Sequence, residues 1–327
     1  MATDDLNYAE VASELVRALR GRRSQTAFSK WLGYRSNVAS AWEAGRAFPT
    51  ASDFFSVLER SGRKLALALS AFYRLPPDTV APDLTSARGV AAFLDDLRGR
   101  TAVVDLARSA GRSRFAVARW LKGEAEPRLP DFLCLVENAS LRLLDFLACF
   151  VDPAALPSLT VAWRNLENAR RAAFEMPWSH AVLRVIELAE YQKLRRHRPG
   201  FIAGRLQISR AEEERCLDLL LETGQLRREG QRLRLGATLT VDTRGDRQRS
   251  QRLKAFWTGV ALERLQNDAE GTFSYNVFSV SREDFSRIQE LFRAYFRELR
   301  RIVAASEPSE CIVLSNVHLL ELGSPLR

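Results

Sequence analysis

A chain of 327 residues has room for two or three domains, and a hydrophobic share of 46 % excludes a disordered chain. With 49 Lys and Arg against 40 Asp and Glu the formal net charge is +9, which suits a polyanionic partner and equally an ordinary basic globular protein. The acidic N-terminal stretch lacks the apolar core of a secretory signal, and no apolar run reaches membrane-spanning length, so a cytoplasmic protein without a membrane partner is expected. Cys134, Cys149, Cys216 and Cys311 lie scattered in apolar segments without a CxxC pair, and they read as buried thiols of a reducing compartment.

In chain order, residues 9–19 form an amphipathic helix with Val11, Leu15, Ala18 and Leu19 on one side. Ser24 is a good N-cap for a helix over 25–32, which Gly33 ends. A third helix is expected over about 36–44, stopped by Gly45 and the turn to Pro49. Residues 52–60 and 65–72 supply a fourth and a fifth. This set then repeats without gaps at a constant offset of 78 residues, Leu19 falling on Leu97 and Phe72 on Phe150. Gly33 falls on Gly111, Trp42 on Trp120, Gly45 on Gly123, Pro49 on Pro127, and Asp53-Phe54 on Asp131-Phe132. Two copies are too few for a solenoid, so the pattern reads as a duplicated small domain.

Two short helices joined by a glycine turn are a helix-turn-helix pattern. Gln25, Gly33 and Trp42-Glu43-x-Gly45-x3-Pro49 in the first copy resemble the lambda-repressor-like (XRE-type) family of bacterial transcriptional regulators. The resemblance implies that the helix after the turn enters the DNA major groove with its N-terminal residues at base edges. In copy one those residues are Arg35, Ser36, Asn37 and Ser40, with Ala41 as a further candidate and Gln25, Arg22, Arg23 and Lys30 on phosphates. Arginine can grip guanine and asparagine adenine. In copy two they are Ser113, Arg114, Phe115 and Arg119, with Arg112 nearer the backbone. Copy two has Val103 in place of Gln25 and Leu121 in place of Glu43, so its phosphate contact departs from the pattern. Ala39, Trp42, Val117 and Trp120 are assigned to the core.

Pro76, Pro77 and Pro82 mark a stiff linker between the copies, and Pro153 and Pro157 a second break. Beyond it, helices are expected over 180–195, 200–207 and 210–223, then a hairpin over 225–235 turning at Gly230. Ile202-Ala203-x2-Leu206-x-Ile208-Ser209 with Leu220-x3-Gly224-x-Leu226 is similar to a winged helix. Arg227, Arg228, Arg232 and Arg234 in the wing would suit a third DNA contact. The carboxylates of Glu212, Glu213 and Glu214 would repel phosphates and favour a structural or dimerising role. Residues 246–254 are strongly basic, and a helix follows over 252–265. Strand patterns at 272–280 and 311–322 flank a long apolar-striped helix that starts near Ser281. Ser279-Val280-Ser281 and Cys311-Ile312-Val313-Leu314-x3-His318-Leu319 make residues 94–322 resemble a largely uncharacterised family of predicted bacterial regulators that ends in a small α+β domain.

The expected architecture is therefore mainly α: a first helix-turn-helix domain (1–74), a linker (75–89), its repeat (90–152), a connector (153–177), a winged-helix-like domain (178–236) and an α+β domain (237–327). His180, His197 and His318 fall in no nucleophile elbow, phosphate loop or zinc spacing, so no enzyme activity, cofactor or metal is expected. The expected partners are double-stranded DNA, a second copy of the chain, and an effector or protein on the C-terminal half. The place of action is the cytoplasm, on the nucleoid. The alternative is an adaptor whose helix-turn-helix units dock on another protein.

Overall fold

In a computed structural model the described residues are 6–73, 82–99, 101–236 and 247–323. The chain divides into two compact units, Met1–Glu167 and Asn168–Arg327.

The first unit is helical throughout its described residues. Copy one contributes α1 (Tyr8–Arg20), α2 (Gln25–Trp31), α3 (Val38–Glu43), α4 (Ala51–Arg60) and α5 (Leu65–Tyr73). Copy two contributes α6 (Ala87–Arg98), α7 (Val103–Ser109), α8 (Arg114–Leu121), α9 (Leu129–Ser140) and α10 (Leu143–Ala148). Local signals set the ends. Ser24 accepts the Ala27 amide at 3.1 Å, and Thr50 and Asp53 close a capping box on α4. Gly33 and its equivalent Gly111 sit at φ +93° and +62° with open space where a Cβ would point, so conformation and not crowding requires glycine there. Val16, Phe28, Ala39, Trp42 and Val57 form a core within copy one. Trp120 departs from its expected place: it is half-buried, whereas its equivalent Trp42 is 7 % exposed.

The two copies also share one aromatic core. Phe55, wholly buried on α4, meets Phe132 at 5.3 Å, Phe146 at 6.0 Å and Phe150 at 5.7 Å between ring centroids. Helix α1 packs on α9, and α6 on α4. The first part of the expected linker, up to residue 81, lies outside the described residues. Its second part belongs to copy two, because α6 begins at Ala87 and Leu84 is buried.

The connector is mostly a helix, α11 (Thr160–Glu175), with Leu166, Ala169, Ala172 and Ala173 buried. In the second unit α12 (Trp178–Glu187), α13 (Ala189–Gln192), α14 (Phe201–Leu206) and α15 (Arg210–Glu222) precede a hairpin of β1 (Leu226–Glu229) and β2 (Arg232–Leu235). The hairpin is antiparallel, Leu226 facing Leu235 and Glu229 facing Arg232. Val182, Ile186, Ile202, Cys216, Leu220, Leu226 and Leu233 make its core. The helix expected over 180–195 breaks at Leu188, whose ψ of 138° is extended, and the Ser309 carbonyl takes up the Ala189 amide at 2.8 Å.

Helices α16 (Arg247–Gln266) and α17 (Arg282–Ala305) complete the described chain. Of the expected basic stretch, residue 246 lies outside the described residues. The expected α+β domain is corrected here. Residues 272–280 and 311–321 are not strands, and the only sheet among the described residues is the β1–β2 hairpin. An alternating pattern makes a strand only where another strand supplies the hydrogen bonds. Among the described residues neither segment has such a partner: residues 272–280 make no backbone hydrogen bond there, and Tyr275, Val277 and Val313 stand exposed. The cysteines are corrected as well, since Cys216 is buried, Cys134 and Cys149 are half-buried and Cys311 is exposed.

Candidate nucleic-acid interface

In copy one the turn from α2 to α3 presents Arg35, Ser36 and Asn37 at the surface, with Ser40 half-buried one turn on. Arg35 has no ion pair among the described residues and is free to extend. Asn37 acts locally. Its Oδ1 caps α3 by accepting from the Ser40 amide at 3.4 Å and from the Ser29 hydroxyl at 3.2 Å. The Ser29 hydroxyl has a single proton, which the Gln25 carbonyl also accepts at 2.8 Å. A bidentate adenine contact, which needs the oxygen as acceptor, would compete with the cap.

Gln25 opens α2 and donates from Nε2 to Glu43 Oε2 at 2.9 Å. Arg20 also donates to Glu43, and Arg17 lies 4.0 Å away. Gln25 therefore ties α2 to α3 with one of its two amide hydrogens. Arg23 lies over the Trp31 ring at 4.9 Å, and Arg60 is at the same distance from it. Arg22, Arg23 and Lys30 are exposed beside this turn.

Copy two solves the same geometry with other residues. Leu121 replaces the Glu43 carboxylate, and Arg98, equivalent to Arg20, turns instead to Asp95 and to the Thr101 carbonyl at 2.8 Å. Ser113 becomes the N-cap of α8 by accepting the Ala116 amide at 3.2 Å. Helix α8 therefore starts two residues before the point equivalent to the start of α3, and Arg114 and Phe115 form its first turn. The Phe115 ring is 75 % exposed, with the Arg114 guanidinium 5.6 Å from its centre. Arg119 is exposed. Arg112 is paired with Asp131 at 2.5 Å, so its charge is partly spent.

In the second unit the three carboxylates that argued against DNA do not act together. Glu213 is 1 % exposed and points inward, accepting the Gly200 amide at 3.0 Å and the Ala203 amide at 2.7 Å. Glu212 pairs with Arg215 and Glu214 with Arg210. The wing is joined to the loop after α13: the His197 amide donates to the Gln231 carbonyl at 2.8 Å, and Arg232 Nε to the Arg195 carbonyl at 3.1 Å. The His197 ring is held below, 2.9 Å from the Tyr191 hydroxyl and 3.6 Å from Glu213. Burial pushes the His197 pKa below its ordinary value, against the pull of Glu213 and with the help of Arg228. Arg195, Arg196, Arg198, Arg227 and Arg228 are exposed along this edge. Sequence reasoning missed this cluster, because the two arginine runs are brought together only by the loop-to-wing hydrogen bonds.

Residues 160–322 match DUF4423, a domain of unknown function. The DUF4423 match begins at the first residue of α11 and takes in the winged-helix-like core, α16 and α17. Of the stretch from residue 94 expected to resemble a family of predicted regulators, only 160–322 lies in this domain of unknown function, and both repeat copies lie before the DUF4423 segment. No curated protein and no solved structure matches the chain. Among the described residues no group of His, Cys, Asp and Glu could hold a metal, and no helix is long and apolar enough to cross a membrane.

Proposed function

We propose that the protein is a sequence-specific double-stranded DNA-binding transcriptional regulator, acting without catalysis on the nucleoid. One observation carries this reading: each of two helix-turn-helix units presents an exposed arginine that has no ion pair among the described residues, Arg35 in the turn three residues before α3 and Arg114 at the first position of α8. Such a position meets base edges when the helix lies in the major groove. The net charge of +9 and the cations flanking each turn supply the phosphate contacts that hold register. The basic wing edge of the second unit adds a further phosphate-binding surface.

The proposed assembly is a homodimer through the C-terminal half. Its support is the row of exposed apolar side chains there, including Phe273, Tyr275, Phe278, Val313 and Leu320, on segments that carry no acidic or basic residue from 272 to 281 and only His318 from 311 to 320. Two copies of a basic chain can meet on such segments without like-charge repulsion.

The test is selection of bound duplexes from a random pool by the whole purified chain, followed by salt titration of the selected site. A defined motif is expected, with affinity falling roughly a thousandfold between 50 and 200 mM salt if about six phosphates are engaged. Weak, sequence-blind binding would overturn the reading. It would favour the adaptor instead, for which the exposed Phe115 is the specific support, since aromatic side chains are enriched in protein–protein interfaces.

A further inference from the structure

The way the two copies meet sets the arrangement of the site they would read. Thr50 and its equivalent Arg128 face each other in an antiparallel bridge. The Ala51 amide donates to the Pro127 carbonyl at 3.1 Å, and the Leu129 amide donates to the Pro49 carbonyl at 3.0 Å. Under the offset of 78, Ala51 is equivalent to Leu129 and Pro49 to Pro127. The two hydrogen bonds are therefore one contact made twice, in opposite directions. The helix packing agrees: α1 lies on α9, and their equivalents α6 and α4 lie on each other. A translated repeat would bring unlike residues together, or like residues in parallel. Like residues meeting antiparallel require a local two-fold axis between the copies, passing beside Thr50 and Arg128. This is the isologous geometry of a symmetric dimer, built within one chain.

A two-fold axis between the copies also relates α3 to α8. Where the protein has two-fold symmetry, its DNA site has inverted symmetry. Here the symmetry is in the backbone only. At equivalent positions Arg35 stands against Ser113, Ser36 against Arg114, Asn37 against Phe115, Ser40 against Ala118 and Ala41 against Arg119. No position of this reading surface has the same residue twice. Copy two adds an exposed aromatic ring, which suits a thymine methyl group, and copy one has none among these positions.

Resting on the DNA-binding reading, we infer that one chain recognises an inverted repeat of two unlike half-sites. Copy one reads one half and copy two the other, with half-site centres about one helical turn, roughly 10 base pairs, apart.

The experiment uses the whole chain and the duplex recovered by selection. Titration at concentrations well above the dissociation constant is expected to break at one chain per inverted repeat. Turning one half-site around, to make a direct repeat of the same composition, is expected to weaken binding at least a hundredfold. Repeating the selection with Arg35→Ala is expected to blur one half of the motif and weaken binding ten- to hundredfold, while Arg114→Ala blurs the other half. Both side chains are exposed, and matched melting curves establish that the variants fold. A direct repeat, a single half-site, or two identical halves each taken by a separate chain would overturn the inference and leave the DNA-binding reading in place. Absence of any selected motif would overturn both.

Discussion

Glu43 keeps a side chain only 6 % exposed between α2 and α1, in contact with Arg20 and Gln25. Burial works to raise its pKa. The hydrogen bonds from Arg20 and Gln25 and the charges of Arg20 and Arg17 outweigh that, and hold the carboxyl below its ordinary value of 4.5. A carboxyl held low in the folded state binds its proton more readily when unfolded. Its stabilisation is therefore complete above pH 4.5 and is lost as the pH falls through the lowered value. Glu43→Gln is expected to reduce stability at neutral pH and to flatten part of the decline below pH 4.5, read from urea midpoints from neutral pH into that acid range. An acid decline as steep as the parent's would show that the carboxylate contributes nothing through its charge. Gln25 and Glu43 are both legible as members of a sequence motif, but their bond to each other is not, because 18 residues separate them along the chain. For Asn37 the sequence offers two uses, capping and base reading. Only the structure shows that the cap occupies its oxygen.

At the scale of elements, the helices of the repeat are legible because their ends are set by adjacent residues: Ser24 opens α2 and Gly33 follows it, and both signals act within a few positions. The contact between the copies depends on residues far apart in the chain, and the equal spacing of the copies gives no sign of how they turn toward each other. Helix α11 escapes a reading of the sequence because prolines precede it and its buried face is mostly alanine, a weak periodic signal. The shared core makes a clear prediction. Phe55→Ala removes a ring that packs against three rings of copy two, at an expected cost of about 3–5 kcal/mol. Because α4 belongs to both packing arrangements, the two copies are expected to unfold in one transition before and after the substitution, followed by calorimetry together with the fluorescence of variants that keep only Trp42 or only Trp120 of the six tryptophans. Separate transitions for the two copies would show that the aromatic cluster does not join them.

For the whole molecule, the alternating patterns at 272–280 and 311–321 satisfy every local requirement of a strand; the missing requirement is a neighbour, which local pattern does not supply. If a second copy supplies it, sedimentation of the intact chain at micromolar concentration is expected to give a dimer. Tyr275→Lys combined with Val313→Lys is expected to give a monomer with the melting temperature of the first unit unchanged, since both side chains are largely solvent-exposed. A monomeric parent would dismiss that role for the segments. The antiparallel junction at Thr50 and Arg128 has a consequence of a different kind. Halves joined by a covalent chain cannot be diluted apart, so the pairing of α3 with α8 follows no mass-action law. Occupancy of a site would rise in simple proportion to the amount of protein at low abundance, where a pair of separate reading subunits would respond as the square. If the protein reads DNA as proposed, each half is also free to vary alone: a substitution in α8 would change one half of the recognised sequence and leave the other intact, whereas the same change in an identical pair must be tolerated twice.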